Sequence, residues 1–265
     1  MRRSTGIDAD TAYGKFQEYC PFHPSVLSVF ERKWQSLPRF QRTRGILRLL
    51  ALWVAHAYQE EHRKASGELL ITLGSAPLED PIFRAAMFEQ LGSNELEIPV
   101  TTDIAGKQDA HAVRLDREGT ATIKKASLHR KVAATILFES NGGMSQSQAE
   151  AALPEIRLSV GSPDLNLADV DHVLEGLVGT CYYLNWDRNR YRFGLTPNLN
   201  QILVTRRGAV KPKEIEERVK QQTQKLFGEG PKEIDRRFFP ARSNDVPNRP
   251  ALTLVVLGLD NTLSD

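Results

Sequence analysis

Cysteine is nearly absent: Cys20 and Cys181 are the only two in 265 residues, and neither belongs to a C-x-x-C pair. Neither a disulfide framework nor a zinc knuckle is indicated, and a reducing cytoplasm is the expected setting. Long apolar runs are missing too. The longest, Leu49 to Ala57, falls well short of the ~20 residues that cross a bilayer, and no basic-then-apolar leader opens the chain, so no membrane is expected as a partner. Net charge is only +2, which excludes a polycation that binds nucleic acid by charge alone. No G-x-x-x-x-G-K-[ST] loop occurs, no apolar strand ends in Asp-Glu, and there is no G-x-S-x-G elbow. A backbone cradle for nucleotide phosphates, an acidic pair for magnesium and a hydrolase triad therefore lack sequence support. Internal repeats and low-complexity tracts are absent as well.

What is there is an ordinary globular composition, 40% hydrophobic and 26% charged, long enough for two modules or one large one. The charge is uneven. Residues 1–48 hold nine Lys or Arg against four Asp or Glu, and residues 206–225 hold seven against three, so each stretch is either a solvated face or a phosphate-facing one. Helical spacing of Val26, Val29, Phe30 and Trp34, opened by Pro24, predicts a helix closed at Leu37-Pro38. From about Thr43 to Lys64, the residues Ile46, Leu47, Leu49, Leu50, Leu52, Trp53, Val54 and Tyr58 predict a helix buried on most sides that emerges into solvent after Gln59. Asp80-Pro81 starts and Gly92 ends a third helix, with Ile82, Phe83, Met87 and Leu91 facing inward. Residues 94–104 fit a strand and a helix equally, and Pro99 weakens both.

The order of elements after Ser127 is informative. A helix over 127–139 precedes a short alanine-rich helix near 147–153, an extended Ile156-Arg157-Leu158-Ser159-Val160 and a helix near 167–178. Two strands, Cys181 to Leu184 and Tyr191 to Leu195, then flank a hairpin tip at Asn185 to Arg190. Three helices and a terminal β-hairpin follow the order of a winged helix. Beyond it, Lys213 to Phe227 predicts a charged amphipathic helix, and residues 240–250 form a linker. The apolar run Leu252 to Leu257 reads as a strand without visible partners, expected to open a further domain.

The densest constellation lies at residues 39–48, where Arg39, Arg42, Arg44 and Arg48 lead into the second helix. Arg44 and Arg48 are four apart and share a face near its N-terminus, the positive end of the helix dipole, where cations are disfavoured. An anion would resolve that conflict, and the planar guanidinium fork matches phosphate oxygens. Carboxylates of a neighbouring domain would resolve it equally well. In the hairpin, Arg188, Arg190 and Arg192 with Trp186 and Tyr191 make a basic, aromatic tip suited to a DNA backbone. The preceding helix opposes that use, because Asp164, Asp169, Asp171 and Glu175 would repel phosphates. Asp103, Asp109, His111 and Asp116 match no metal-ligand spacing and read as a surface loop, and His129 and Arg130 as capping or solvated residues.

Cys20-Pro21-Phe22-His23-Pro24, the Arg39-to-Arg48 run, Asp103 to Lys107, His111 to Asp116, and Tyr191-Arg192-Phe193 with Pro197 to Asn200 resemble the domain-of-unknown-function 499 family. Its members are large AAA+-type ATPases, often found beside DNA methyltransferases in prokaryotic defence or restriction loci. The resemblance covers roughly residues 17–240. It implies that Gly45-Ile46-Leu47-Arg48 is similar to the G-x-x-R of a sensor-2 helix, with Arg48 as the nucleotide sensor and Arg44 and Arg42 beside it. The implied organisation is mainly α: a helical lid-like domain over 1–125, a winged helix with a β-hairpin over 126–205, a connecting helix over 206–240, and a linker with the first strand of another domain over 241–265. ATP and Mg2+ would be held by a P-loop core outside this chain, expected before Met1, and the partners would be that core, DNA and a DNA methyltransferase system. No activity is expected of this chain alone. Two rival readings stay open: a DNA-binding or scaffolding module without a nucleotide role, and an enzyme with its own unrecognised site.

Overall fold

The computed structural model describes residues 14, 16–41, 43–64, 70–106, 110–141, 149–162, 165–231 and 233–258, with the backbone alone at 61–64. Among these residues the chain is mainly helical with two small sheets, and it divides into two units, Met1–Ile202 and Leu203–Asp265.

In the first unit, helix α1 spans Pro24–Arg32. His23 caps it by accepting the Ser25 N–H at 3.1 Å, and Pro24 occupies the first helical position, where no amide donor is needed. A 3-10 turn, Trp34–Ser36, follows, and Leu37 is extended ahead of Pro38. Helix α2, Arg44–Lys64, buries Leu49 and Trp53. Its composition predicts cover on most sides, but the structure leaves one stripe open, with Leu47, Val54 and Tyr58 exposed along it. Helix α3, Pro81–Leu91, is capped by Asp80, which accepts the Ile82 N–H at 2.9 Å, and ends at Gly92 with φ 69°. Phe83, Met87 and Leu91 face the core as expected, Phe88 joins them, and Ile82 points outward instead.

The ambiguous stretch 94–104 is helical throughout: a 3-10 turn Asn94–Leu96, an α turn Glu97–Pro99 and a π turn Val100–Ile104. Pro99 is tolerated because it lies in the first turn of the α segment Glu97–Pro99, where amide donors have no partner within the segment. Helices α4 (His111–Glu118), α5 (Ala121–Ala126) and α6 (Leu128–Glu139) follow. α6 is the central element, with ten of its twelve residues buried.

Strand β1 is Ala151–Ala152, helix α7 Leu153–Val160, helix α8 Leu167–Thr180, and strands β2 and β3 are Leu184–Asp187 and Arg190–Phe193. Helix and strand are thus exchanged relative to expectation at 151–160; residues 147 and 148 lie outside the described residues. The alternation Ile156, Leu158, Val160 imitates a strand. Pro154 in the first turn and Glu155, whose carboxylate accepts the Ala152 N–H at 3.0 Å, are the helix-start signals that prevail. The three strands pair antiparallel in the order β1-β3-β2, with Ala151 opposite Tyr191 and Trp186 opposite Tyr191. Arg188 and Asn189, at φ 45° and 63°, form the two-residue turn between β2 and β3.

One hydrophobic core runs through this unit and includes residues on both sides of position 125. Trp34 stacks on Phe138 at 5.3 Å and donates its indole N–H to the Phe138 carbonyl at 3.0 Å, while Trp53 meets Phe83 edge-on. Beside them Lys33, buried, donates to the Glu139 and Glu150 carbonyls at 2.8 Å each and pairs with the Glu139 carboxylate at 2.6 Å. That arrangement satisfies a charge that would be costly to bury alone.

Helix α9, Leu199–Ala209, carries the division between the units. The second unit continues with helix α10, Pro212–Gly228, and strands β4 (Asp235–Phe238) and β5 (Thr253–Val256). The tail strand therefore does have a partner: β5 pairs parallel with β4, Asp235 opposite Thr253 through Phe238 opposite Val256. The polar Asp235-Arg236-Arg237 hides β4 from a reading by hydrophobic pattern. Leu252, Leu254 and Leu257 remain exposed.

Candidate functional site

The arginine run is held at a joint between α2 and α3. Arg44 and Arg48 occupy the first and second turns of α2, both exposed. Arg42 lies outside the described residues. Gln90, on the last turn of α3, is only 3% exposed, and its side-chain oxygen accepts the Gln41 N–H at 2.9 Å. Gly45 makes room for it: a Cβ there would lie 2.1 Å from Gln90 Oε1. The conflict between Arg48 and the positive end of α2 is met within the same unit, by the Glu89 carboxylate 3.0 Å from Arg48 Nη1. Chemically, the joint presents two guanidinium groups on a helix whose register is locked from beneath. Glu89 and Gln90 escape a reading of the sequence because nothing local links them to residues 41–48. The glycine at position 45 of an otherwise strong helix former is the one available signal of a close approach.

The hairpin arginines do not form one cluster. Arg188 sits exposed in the turn, Arg190 lies 3.9 Å from the Glu150 carboxylate, and Arg192 is half-buried opposite Asn185. Trp186 is exposed across from the buried Tyr191. On α8, Asp171 is engaged by Arg157 at 2.6 Å, Glu175 is exposed, and Asp164 lies outside the described residues.

Asp103, His111 and Asp116 do not form a surface loop; all three are buried, and Asp109 lies outside the described residues. They split into two pairs. Asp116 accepts the His129 and Arg130 backbone N–H groups at 2.8 and 3.1 Å and the His129 ring at 3.0 Å, capping α6 from outside its own sequence. Asp103 accepts the His111 Nδ1–H at 2.7 Å and the Tyr182 and Tyr183 N–H groups at 3.1 and 2.7 Å, fixing the corner between α8 and β2. With Cys181, Asp103 and His111 make the one group among the described residues whose ligand atoms come within 4.8 Å of one another, as a metal site requires. Burial, and then the Asp103 charge, push the Cys181 thiol well up, which opposes the thiolate a metal would need. The three donors to Asp103 account for the arrangement as a tether. Cys181 could not be placed here from the sequence, since it is distant in the chain from both partners.

Within the second unit, Leu226, Phe227, Ile234, Leu252 and Leu254 line a shallow apolar cleft with Arg236 at its edge. No helix among the described residues is long and apolar enough to cross a membrane. No protein-family model, no curated protein and no solved structure matches the chain.

Proposed function

We propose that this chain is the lid and winged-helix portion of an AAA+-type ATP-binding protein, closing over a nucleotide held by a separate P-loop core, in a DNA-linked defence or restriction system. The observation that carries the reading is the exposed Arg48 on a register-locked helix, with Arg44 one turn before it. A guanidinium so presented can take up an anion, since the exposed Glu89 occupies only one side of its fork. The order α6, β1, α7, α8, β2, β3 with the sheet order β1-β3-β2 supports a winged helix over the second part of the first unit. The acidic residues of α8 weigh against that module as a reader of DNA and favour its use in passing closure of the lid onward. ATP and Mg2+ enter with the P-loop core; here the chain supplies positive charge to the γ-phosphate and the surfaces that close over it.

Arg48→Ala in the assembly that contains the core should slow ATP hydrolysis by about 10-fold to 1,000-fold, since an arginine on a transferring phosphoryl group is worth ~10³-fold or more and a sensor usually less. Arg48→Lys should restore activity only in part, because it keeps the charge and loses the fork. Arg39→Ala controls for general loss of positive charge. Unchanged hydrolysis in Arg48→Ala together with a crippled Arg39→Ala would place the sensor elsewhere.

A further inference from the structure

Two neighbouring residues on the last turn of α3 engage the start of α2 in different ways. Gln90 is closed to solvent, fills the space left by Gly45 and accepts the Gln41 N–H. Glu89 is open to solvent: its side chain is 53% exposed and that of Arg48 56%. A buried, shape-matched hydrogen bond fixes geometry, whereas an exposed ion pair shifts an equilibrium by only about 1.5-fold to 5-fold. A phosphate with several charged oxygens is the stronger partner for a planar fork.

We propose that Gln90 is the positioning residue for Arg48, and that the Glu89 carboxylate holds the Arg48 fork where a phosphate oxygen would bind, so that anion and carboxylate compete for one guanidinium. The inference rests on the reading of Arg48 as a phosphate sensor and adds its regulation. Without nucleotide the arginine is parked in a defined place on α3. With nucleotide, the pair opens at little cost, because both partners are already solvated, and Glu89 is released to water. Gln90 keeps the backbone at Gln41 and Gly45 in place through the exchange, so only the long side chain moves.

The test uses the 265-residue chain itself, with inorganic tripolyphosphate as the probe and the Arg48 side-chain N–H resonances as the readout at low ionic strength. Glu89→Gln should tighten binding seen at Arg48 by about 2-fold to 5-fold, the range an exposed pair supports. Glu95→Gln, an equal charge change at another exposed carboxylate, should do less. Gln90→Met, similar in shape but without an acceptor, should speed hydrogen exchange at the Gln41 amide and remove the advantage of Glu89→Gln. If Gln90→Met fails to fold, the two glutamate variants decide the matter. Equal effects of Glu89→Gln and Glu95→Gln would overturn the proposal and leave the sensor reading standing. Tripolyphosphate affinity unchanged in Arg48→Ala, measured by titration calorimetry because that variant lacks the reporting resonances, would instead remove the sensor reading, and the proposal with it.

Discussion

At His23 one ring nitrogen carries two hydrogen bonds: Nδ1 accepts from the Ser25 amide at 3.1 Å and from the Ser25 hydroxyl at 2.8 Å. Burial lowers its pKa to about 4, so the ring is neutral in the folded chain at neutral pH and that acceptor stays available. The unfolded chain takes up the proton near the ordinary histidine value of about 6.5. Because the folded pKa is the lower one, stability from this group is complete above pH ~6.5 and is lost as pH falls toward 4, by roughly 3 kcal/mol in total. Glu139 shifts in the opposite sense, since burial pushes its carboxyl up despite Lys33, so the informative quantity is a difference. Urea denaturation of wild type and His23→Asn between pH 4 and 7 should show their stabilities converging or crossing as pH falls, because asparagine keeps a capping acceptor without titrating. Parallel profiles would mean that His23 is not held neutral.

Among the elements, the joint between α2 and α3 makes a specific demand on side-chain volume at Gly45. Alanine normally improves a helix over glycine by roughly 0.5–1 kcal/mol. At position 45 the added Cβ would run into the Gln90 amide, so Gly45→Ala should instead destabilise by about 1–3 kcal/mol, the usual range for overpacking. In a Gln90→Ala background the obstacle is gone, and the same change should become neutral or stabilising. Equilibrium denaturation of the two single variants and the double variant measures that reversal of sign. Additive losses would show that some other atom fills the space beside Gly45.

For the whole molecule, the division after Ile202 separates a unit with a continuous aromatic core from one built of α10 and a two-stranded parallel sheet. The first unit holds Trp34, Trp53, Phe83 and Phe138 and the Lys33–Glu139 pair, all closed within residues 1–202. A chain ending at Ala209 should therefore keep a single cooperative thermal transition within a few degrees of the full-length value for that unit. Loss of cooperativity, or a melting point lower by more than about 10 °C, would show that the second unit completes the first core.

Local chemistry determined much of the architecture. His23-Pro24, Asp80-Pro81 and Gly92 place their own helix ends because caps act within three or four residues. The hairpin is legible in its existence but not in its bounds: the strands expected over Cys181–Leu184 and Tyr191–Leu195 run Leu184–Asp187 and Arg190–Phe193, and the tip expected over Asn185–Arg190 shrinks to Arg188 and Asn189, because cross-strand pairing carries the ladder through polar residues. The arginines at 44 and 48 were visible as a charged face at a helix start. Only the tertiary structure decided what holds them, since Glu89 is 41 residues from Arg48 in the chain. The same holds for Asp103, 79 residues from the Tyr182 amide it accepts, and for β4, whose polar residues become a strand through parallel pairing with β5. Between Ala151 and Val160, alternation and helix-start signals disagreed, and hydrogen bonding of Ala151 and Ala152 to β3 settled which residues extend. A cap or a two-residue turn is satisfied by its neighbours and is written in them, whereas an ion pair, a buried carboxylate or a strand edge is satisfied by groups that only folding brings near.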